Sequence, residues 1–313
     1  MTTPRRVHAF RESAVAAAGA ARRSMILRRI RHGMHVWLRG LHGETVCLYP
    51  NPGNAGDALI LVGTIEALAR AGVAWDLVRP GDDVAGRTLL LGGGGNLVPP
   101  YGEMASALRT FVDTDPARIV VLPHGIRDHH DEMALLRSGD TVFCRDRVAF
   151  EHVRRHTDAS VRLEHDMAFH LDAEMLLDRG GRDPDAVAFL EERLAEHGWS
   201  LGRLRDRPVV RFNRIDVERR SDSSETDIDL SFHLIHTDVD SISWVDAWAL
   251  LRCIESARTI ATDRLHVALG AALLGVPVQL SSNSYDKNLA VFETSLSRFP
   301  NVDFVGDQPS VDQ

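Results

Sequence analysis

The sequence predicts an α/β protein built from two Rossmann-type, doubly wound domains that face a cleft. Three observations carry this. The chain has 313 residues, about twice the ~150 of an ordinary domain. Hydrophobic residues make up 44% and charged residues 26%, proportions that allow a large buried core. From Glu44 onward, short runs rich in Val, Ile and Leu end in glycine or a polar residue and give way to helical periodicity. Such runs mark strands buried on both faces of a parallel sheet.

Residues 1–43 stand apart as an N-terminal extension. Ile26, Ile30, Met34, Trp37, Leu38 and Leu41 recur at helical spacing among Arg22, Arg28, Arg29, Arg31 and Arg39, which predicts a basic amphipathic helix. Through Gly40 there are nine arginines against Glu12, a balance of +8, so the rest of a chain of net charge −8 carries −16. Gly33 and Gly40 weaken an isolated helix and favour one packed on the first domain over one lying on an anionic membrane. The acidic body excludes general nucleic-acid binding. No apolar run approaches the ~20 residues needed to cross a bilayer, and the Ala-rich stretch Ala14–Ala21 is a poor secretory segment.

The first domain, 44–183, is expected to hold strands at Thr45–Tyr49, Trp75–Val78, Thr88–Leu91, Arg118–Leu122, Thr141–Cys144 and Val161–Leu163, with a helix at Asp57–Arg70 between the first two. The second, 184–313, begins with a polar helix at Pro184–His197. Strands at Pro208–Phe212, Thr259–Thr262 and Pro277–Leu280 follow, and Arg219–Asp229, dense in Ser, Asp and Glu, reads as a mobile loop. Cys47, Cys144 and Cys253 fit neither a disulfide framework nor a zinc pattern, which suits a reducing cytoplasm.

Four segments could carry chemistry. Asn51–Asp57 joins the first strand to its helix, where glycines and free N–H groups favour an anion; Asp57 is expected to cap that helix. It is neither a P-loop nor a dinucleotide fingerprint. The four glycines Gly92–Gly95 exceed what a turn needs and point to a ligand close to the backbone. Thr262-Asp263-Arg264-Leu265-His266 precedes a small-residue helix. With Thr262 or Asp263 as N-cap, Arg264 and His266 fall in the first turn, where a cation is disfavoured unless an anion is present. That reading makes Arg264 an anion clamp and His266 a proton donor; an ion pair between Arg264 and a nearby Asp explains the residues equally well. Finally, Ser284–Asn288 contains Lys287, the chain's only lysine, just past a predicted strand end, either at an anionic substrate or on the solvated surface. There are fifteen histidines but no His-Glu-x-x-His, and arginines separate His152 from His156, so no metal site is expected.

Taken in order, Asn54-Ala55-Gly56-Asp57, Gly92–Gly95, Arg145-Asp146, Asp166, Arg214-x-Asp216-x-Glu218, Asp263-Arg264-Leu265-His266 and Ser284-Tyr285-x-Lys287-Asn288 resemble the polysaccharide pyruvyl transferase family. The resemblance runs from about Glu44 to Leu289. It implies a GT-B-like pair of Rossmann-type domains and transfer of pyruvyl from phosphoenolpyruvate to a sugar of a bacterial exopolysaccharide or cell-wall glycan, giving a ketal. By that likeness His266 is the general acid, with Arg264 and Asp57 beside it. Arg145, Arg214, Lys287, Asn54, Gly56, Gly93, Gly94, Tyr285 and Asn288 would bind substrate. The implied partners are phosphoenolpyruvate, as donor substrate with no separate cofactor, and a sugar or lipid-linked oligosaccharide acceptor. The implied setting is the cytoplasm, with peripheral contact at the inner face of the membrane if the N-terminal helix engages it. Nothing in the sequence sets an oligomeric state. Two rivals are a GT-B glycosyltransferase using a nucleotide sugar and a non-catalytic sugar-binding or assembly subunit at the membrane.

Overall fold

The computed structural model describes residues 4–219, 226–235, 244–283 and 286–306. Helix α1 (Pro4–Arg39) leads into β1 (Thr45–Tyr49), α2 (Ala55–Ala71), β2 (Ala74–Leu77), β3 (Thr88–Leu91), β4 (Gly94–Leu97) and α3 (Glu103–Val112). Then come β5 (Arg118–Ile126), α4 (His130–Ala134), β6 (Thr141–Cys144), α5 (Arg147–Val153) and β7 (Ser160–Leu163). A 3₁₀ turn at Met167–His170 precedes α6 (Ala173–Gly181), α7 (Pro184–Glu196) and α8 (Leu201–Asp206). The remainder is β8 (Val210–Arg211), α9 (Leu230–His233), α10 (Trp244–Ser256), β9 (Ile260–Thr262), α11 (Leu265–Leu274), β10 (Val278–Ser281), α12 (Lys287–Thr294) and β11 (Val302–Val305).

The first sheet is parallel, in the order β2-β1-β3-β5-β6-β7. Its strands alternate between two cores, as a sheet covered on both faces must. Val46, Leu48, Leu90, Val120 and Leu122 face one core; Cys47, Leu89, Leu91, Ile119 and Val121 face the other, under α3, α4 and α5. The order reverses between β1 and β3, so the loops after these two strands open a crevice at their carboxyl ends, where ligands bind in such sheets. The predicted strand at Arg118–Leu122 runs on to Ile126, long enough to pair first with β3 and then with β4. The glycine run is therefore not simply a strand end. Gly92 and Gly93 interrupt one extended path that resumes at Gly94.

The second sheet is parallel in the order β11-β10-β9-β8. Among the described residues its strands add in one direction, without the reversal that defines a doubly wound sheet, which corrects that expectation for this half. One continuous core runs from Ile30 of α1 through α2, α10 and α11 to Val302 of β11. Helix α1 belongs to it: Ile30, Met34 and Leu38 are buried, as is Leu41 just beyond its end, Trp37 meets Phe143 edge to face, and Arg31 donates to the carbonyls of Phe169 and Leu171. Cys47, Cys144 and Cys253 are buried free thiols. No described helix is long and apolar enough to cross a membrane.

Candidate active site

The β1–α2 loop, the far end of the glycine run, and the starts of α11 and α12 converge on one cavity of about 240 Å³, lined among others by Asn54, Asp57, Gly95, Tyr101, Arg214, Glu218, Arg264, His266 and Lys287. The glycines before it let backbones approach. A Cβ on Gly92 would sit 2.5 Å from the Asn51 amide nitrogen, and one on Gly93 would sit 2.7 Å from the Pro123 carbonyl oxygen. Gly94, at φ +155°, faces the Asn51 side chain. Close packing of the chain thus requires glycine at 93 and 94, and neither is among the residues lining the cavity. Gly95 does line it: a Cβ there would lie 2.5 Å from Arg145 Nη2 and 3.2 Å from Lys287 Nζ. Buried His124 braces the run, with Nδ1 3.2 Å from the Gly92 carbonyl and Nε2 3.1 Å from Asn96 Oδ1. Burial, reinforced by Arg145, pushes its imidazole down to about 3.

Helix α2 is capped by Asn54, whose Oδ1 accepts from the Gly56 amide; Asp57 closes the capping box by accepting from the Asn54 amide at 2.9 Å. Asp57 is thus the third helical residue rather than the cap, since Asn54 holds the extended backbone a cap requires. Its other oxygen accepts from Asn51 Nδ2 at 2.8 Å. Gly56 makes room for His266, whose Cβ would be 2.8 Å from a methyl placed there. Helix α11 begins at Leu265 with Arg264 itself as N-cap, and Thr262 Oγ1 accepts from the Arg264 amide. Neither Thr262 nor Asp263 is the cap. Arg264 consequently precedes the first turn, while His266 lies within it.

The cations divide into two groups. Arg264 is gripped by Asp229 through two nitrogens and meets Asp216 Oδ2 at 2.7 Å. Arg214 pairs with Glu218 and with Asp216 Oδ1 at 2.8 Å. The ion-pair reading of Arg264 therefore holds. Arg145 differs. Its side chain is fully buried, Nη1 donates to Asp166 Oδ2 at 2.8 Å, and Nε and Nη2 have no hydrogen-bond partner among the described residues. A buried guanidinium with two unmatched donors is costly unless an acceptor arrives. Lys287 Nζ, on the other side of Gly95, lies 3.4 Å from Glu218 Oε2. Burial pushes the Lys287 ammonium down to about 8, aided by Arg145 and Arg214 and opposed by Glu218.

Asp166 ties the cationic corner to the histidine, since its Oδ2 is also 3.8 Å from His266 Nε2. Burial alone would raise this carboxyl, but His266 and Arg145 hold it well below the usual carboxylate range. Glu218 behaves similarly: Lys287, Arg214 and the Tyr101 hydroxyl outweigh burial and keep it near 2. Asn288 is buried, and its Nδ2 donates to the carbonyls of Asp263 and Ser281, which fixes the start of α12 against the second sheet. Ser284 and Tyr285, and part of the 219–229 loop, lie outside the described residues. Sequence reasoning gave no role to Tyr101, His124, Asp229 or Asn283, whose Nδ2 donates to Glu218 Oε2 at 3.3 Å. Each meets its partner across a long stretch of chain and carries no local spacing signal.

This geometry sits within a recognisable lineage. The family model for polysaccharide pyruvyl transferase matches residues 54–285, most of the chain and most of the site, leaving outside it Asn51, Pro52 and Gly53 at one end and Lys287 with its helix at the other. The chain belongs to the polysaccharide pyruvyl transferase family. A solved structure of a functionally uncharacterised protein from Klebsiella pneumoniae subsp. pneumoniae shares its fold, with a TM-score of 0.67 and 26% identity over 88% of this chain and 98% of that one. No curated protein matches the chain. As a member of the family, it is an α/β enzyme-like chain whose family name implies a sugar or polysaccharide acceptor.

Proposed function

We propose that this chain transfers the pyruvyl group of phosphoenolpyruvate to a sugar of an exopolysaccharide or cell-wall glycan, forming a cyclic ketal. The observation that carries the reading is Arg145, buried with two unmatched N–H groups beside Lys287 and one carboxylate away from His266. Arg145 and Lys287 offer a paired cationic grip for one anionic group of the donor. Arg214 and Arg264 line the same cavity and supply positive charge near the other once their carboxylate partners yield.

His266 would deliver a proton to the donor's methylene carbon, forming the C–H bond of the new methyl group and leaving positive charge at the adjacent carbon. The anionic Asp166 stabilises the imidazolium before that transfer. A sugar hydroxyl then bonds to the electron-poor carbon, its proton passing to His266. Cleavage of the bridging C–O bond releases inorganic phosphate, which keeps the bond's electron pair, and a second hydroxyl bonds to the same carbon to close the ketal, its proton passing to the departing phosphate. We also propose a GT-B-like arrangement of the two sheets, with donor and acceptor entering between them, and an acceptor carried on lipid. The exposed Arg22, Arg28 and Arg29 of α1 favour contact with an anionic membrane surface.

Calorimetric titration with phosphoenolpyruvate tests the donor. Saturable binding that is lost in Lys287→Ala is expected, with phosphate release once a suitable acceptor is added. Binding of a UDP-sugar in place of phosphoenolpyruvate would overturn the reading, as would phosphoenolpyruvate binding unchanged in the variant.

A further inference from the structure

We propose that His130, His152 and His156 form a binding site for a borderline divalent metal ion of the zinc, cobalt and nickel class, outside the cavity described above. In the sequence His152 and His156 are separated by Arg154 and Arg155, and His130 lies far upstream, so spacing alone predicts no metal there. The fold changes this. His130 opens α4, His152 lies in the last turn of α5, and His156 follows just beyond. A ring nitrogen from each lies within 4.8 Å of those from the other two. The ring centroids are 4.2 to 5.0 Å apart.

Two features suit ligation. Backbone carbonyls fix the tautomers: His152 Nε2 donates to the Asp128 carbonyl at 2.7 Å, and His156 Nδ1 donates to the His152 carbonyl at 2.8 Å. A carbonyl can only accept, so each of these nitrogens carries the proton. His152 Nδ1 and His156 Nε2 are then left with lone pairs, the arrangement in which metal-binding histidines are held. The loop presenting His130 is strained to do so. Asp128 and His129 both have left-handed backbones, at φ +57° and +53°, unusual for consecutive non-glycine residues. A metal with bonds of about 2.0–2.1 Å to nitrogen holds its ligands some 3.3 Å apart, so a modest rotation of the exposed His130 ring completes the site. Three imidazoles leave a fourth position for water, and all-nitrogen donors select the zinc class over magnesium or calcium.

The test is titration of chelator-treated protein with Co²⁺, followed by its visible absorption, and with Zn²⁺, followed by thermal melting. One Co²⁺ per chain, bound at micromolar concentration with the intense bands of a low-coordinate site, is expected. Zn²⁺ should raise the melting temperature of the unaltered chain. His130→Ala and His156→Ala should each weaken binding at least tenfold and abolish the Zn²⁺ shift. His130 is exposed, so its variant should melt like the metal-free parent, and His130→Asn provides a second version of the same test. The rings of His197 and His233 also lie close, 3.7 Å between centroids. Binding lost in a His197→Ala, His233→Ala double variant and retained in the other two would overturn the proposal, as would metal uptake only at millimolar concentration.

Discussion

At the level of single residues, the charge state of Lys287 is the most sensitive feature of the site. An ordinary lysine is cationic throughout the neutral range, but this ammonium titrates near 8 because it is buried beside Arg145 and Arg214. It is charged below that pH and neutral above it. A phosphate monoester has its second pKa at about 6 and is fully charged by then, so phosphoenolpyruvate affinity should fall as pH rises through 8. Lys287→Arg keeps its charge and should flatten that limb. Glu218 raises the Lys287 pKa, so Glu218→Gln should move the fall in affinity to lower pH; a shift in the opposite direction would contradict the assignment. Gly95 offers a separate check. A methyl group there would press on Arg145 Nη2 and Lys287 Nζ, and displacing positioning groups by about 1 Å can cost on the order of 10²-fold. Gly95→Ala should therefore weaken donor binding and turnover sharply, while far-UV circular dichroism is unchanged.

Secondary-structure elements show both what the sequence discloses and what it withholds. Thr45–Tyr49, Thr88–Leu91 and Thr141–Cys144 are strands with the bounds their apolar runs predict, because burial on both faces leaves a continuous hydrophobic signature. Strand β4 is illegible. Gly94-Gly95-Asn96-Leu97 has no strand propensity and is extended only because it continues along β5. The caps show the same limit. Asp57 and Asn54 are both good capping residues, and which one caps depends on where the backbone leaves β1. In the site, His266, Lys287 and Arg145 are legible from motif order. Asp229, which binds Arg264, is not, because only the fold brings it across 35 residues. Asp166 reaches its position through a contact between elements: Gly63 of α2 packs against the 3₁₀ turn that follows Asp166, and a Cβ there would lie 3.0 Å from the Met167 carbonyl carbon. That neighbour is backbone and cannot rotate aside. Gly63→Ala should destabilise the fold by about 1–3 kcal/mol and lower turnover in the folded fraction by displacing Asp166 from His266. Denaturant melts and kcat measured together would separate the two effects.

The whole molecule raises the question of what α1 is for. A basic amphipathic helix ahead of a two-sheet body can be a detachable arm or part of the core, and the two cases make opposite predictions. Three of its apolar side chains, Ile30, Met34 and Leu38, are buried in the core that also holds β1, α2, α10 and β11, while Arg22, Arg28 and Arg29 stay exposed. Arg31 anchors to the 3₁₀ turn beside the site through two carbonyls, and Arg70 of α2 donates to His170 in the same turn. The helix is thus a buttress behind Asp166, and its outward face is a separate surface. Met34 is fully buried, so Met34→Ala should remove about 2–5 kcal/mol of stability through the cavity it leaves. It should leave phosphoenolpyruvate affinity in the remaining folded protein unchanged. Replacing Arg22, Arg28 and Arg29 together by Gln should alter stability by no more than about 0.5 kcal/mol per site. The same triple variant should reduce sedimentation of the protein with phosphatidylglycerol vesicles at low salt. If Met34→Ala left the denaturation midpoint in place, α1 would not be part of the core; if the arginine variant bound vesicles as the parent does, its outward face would have no membrane role.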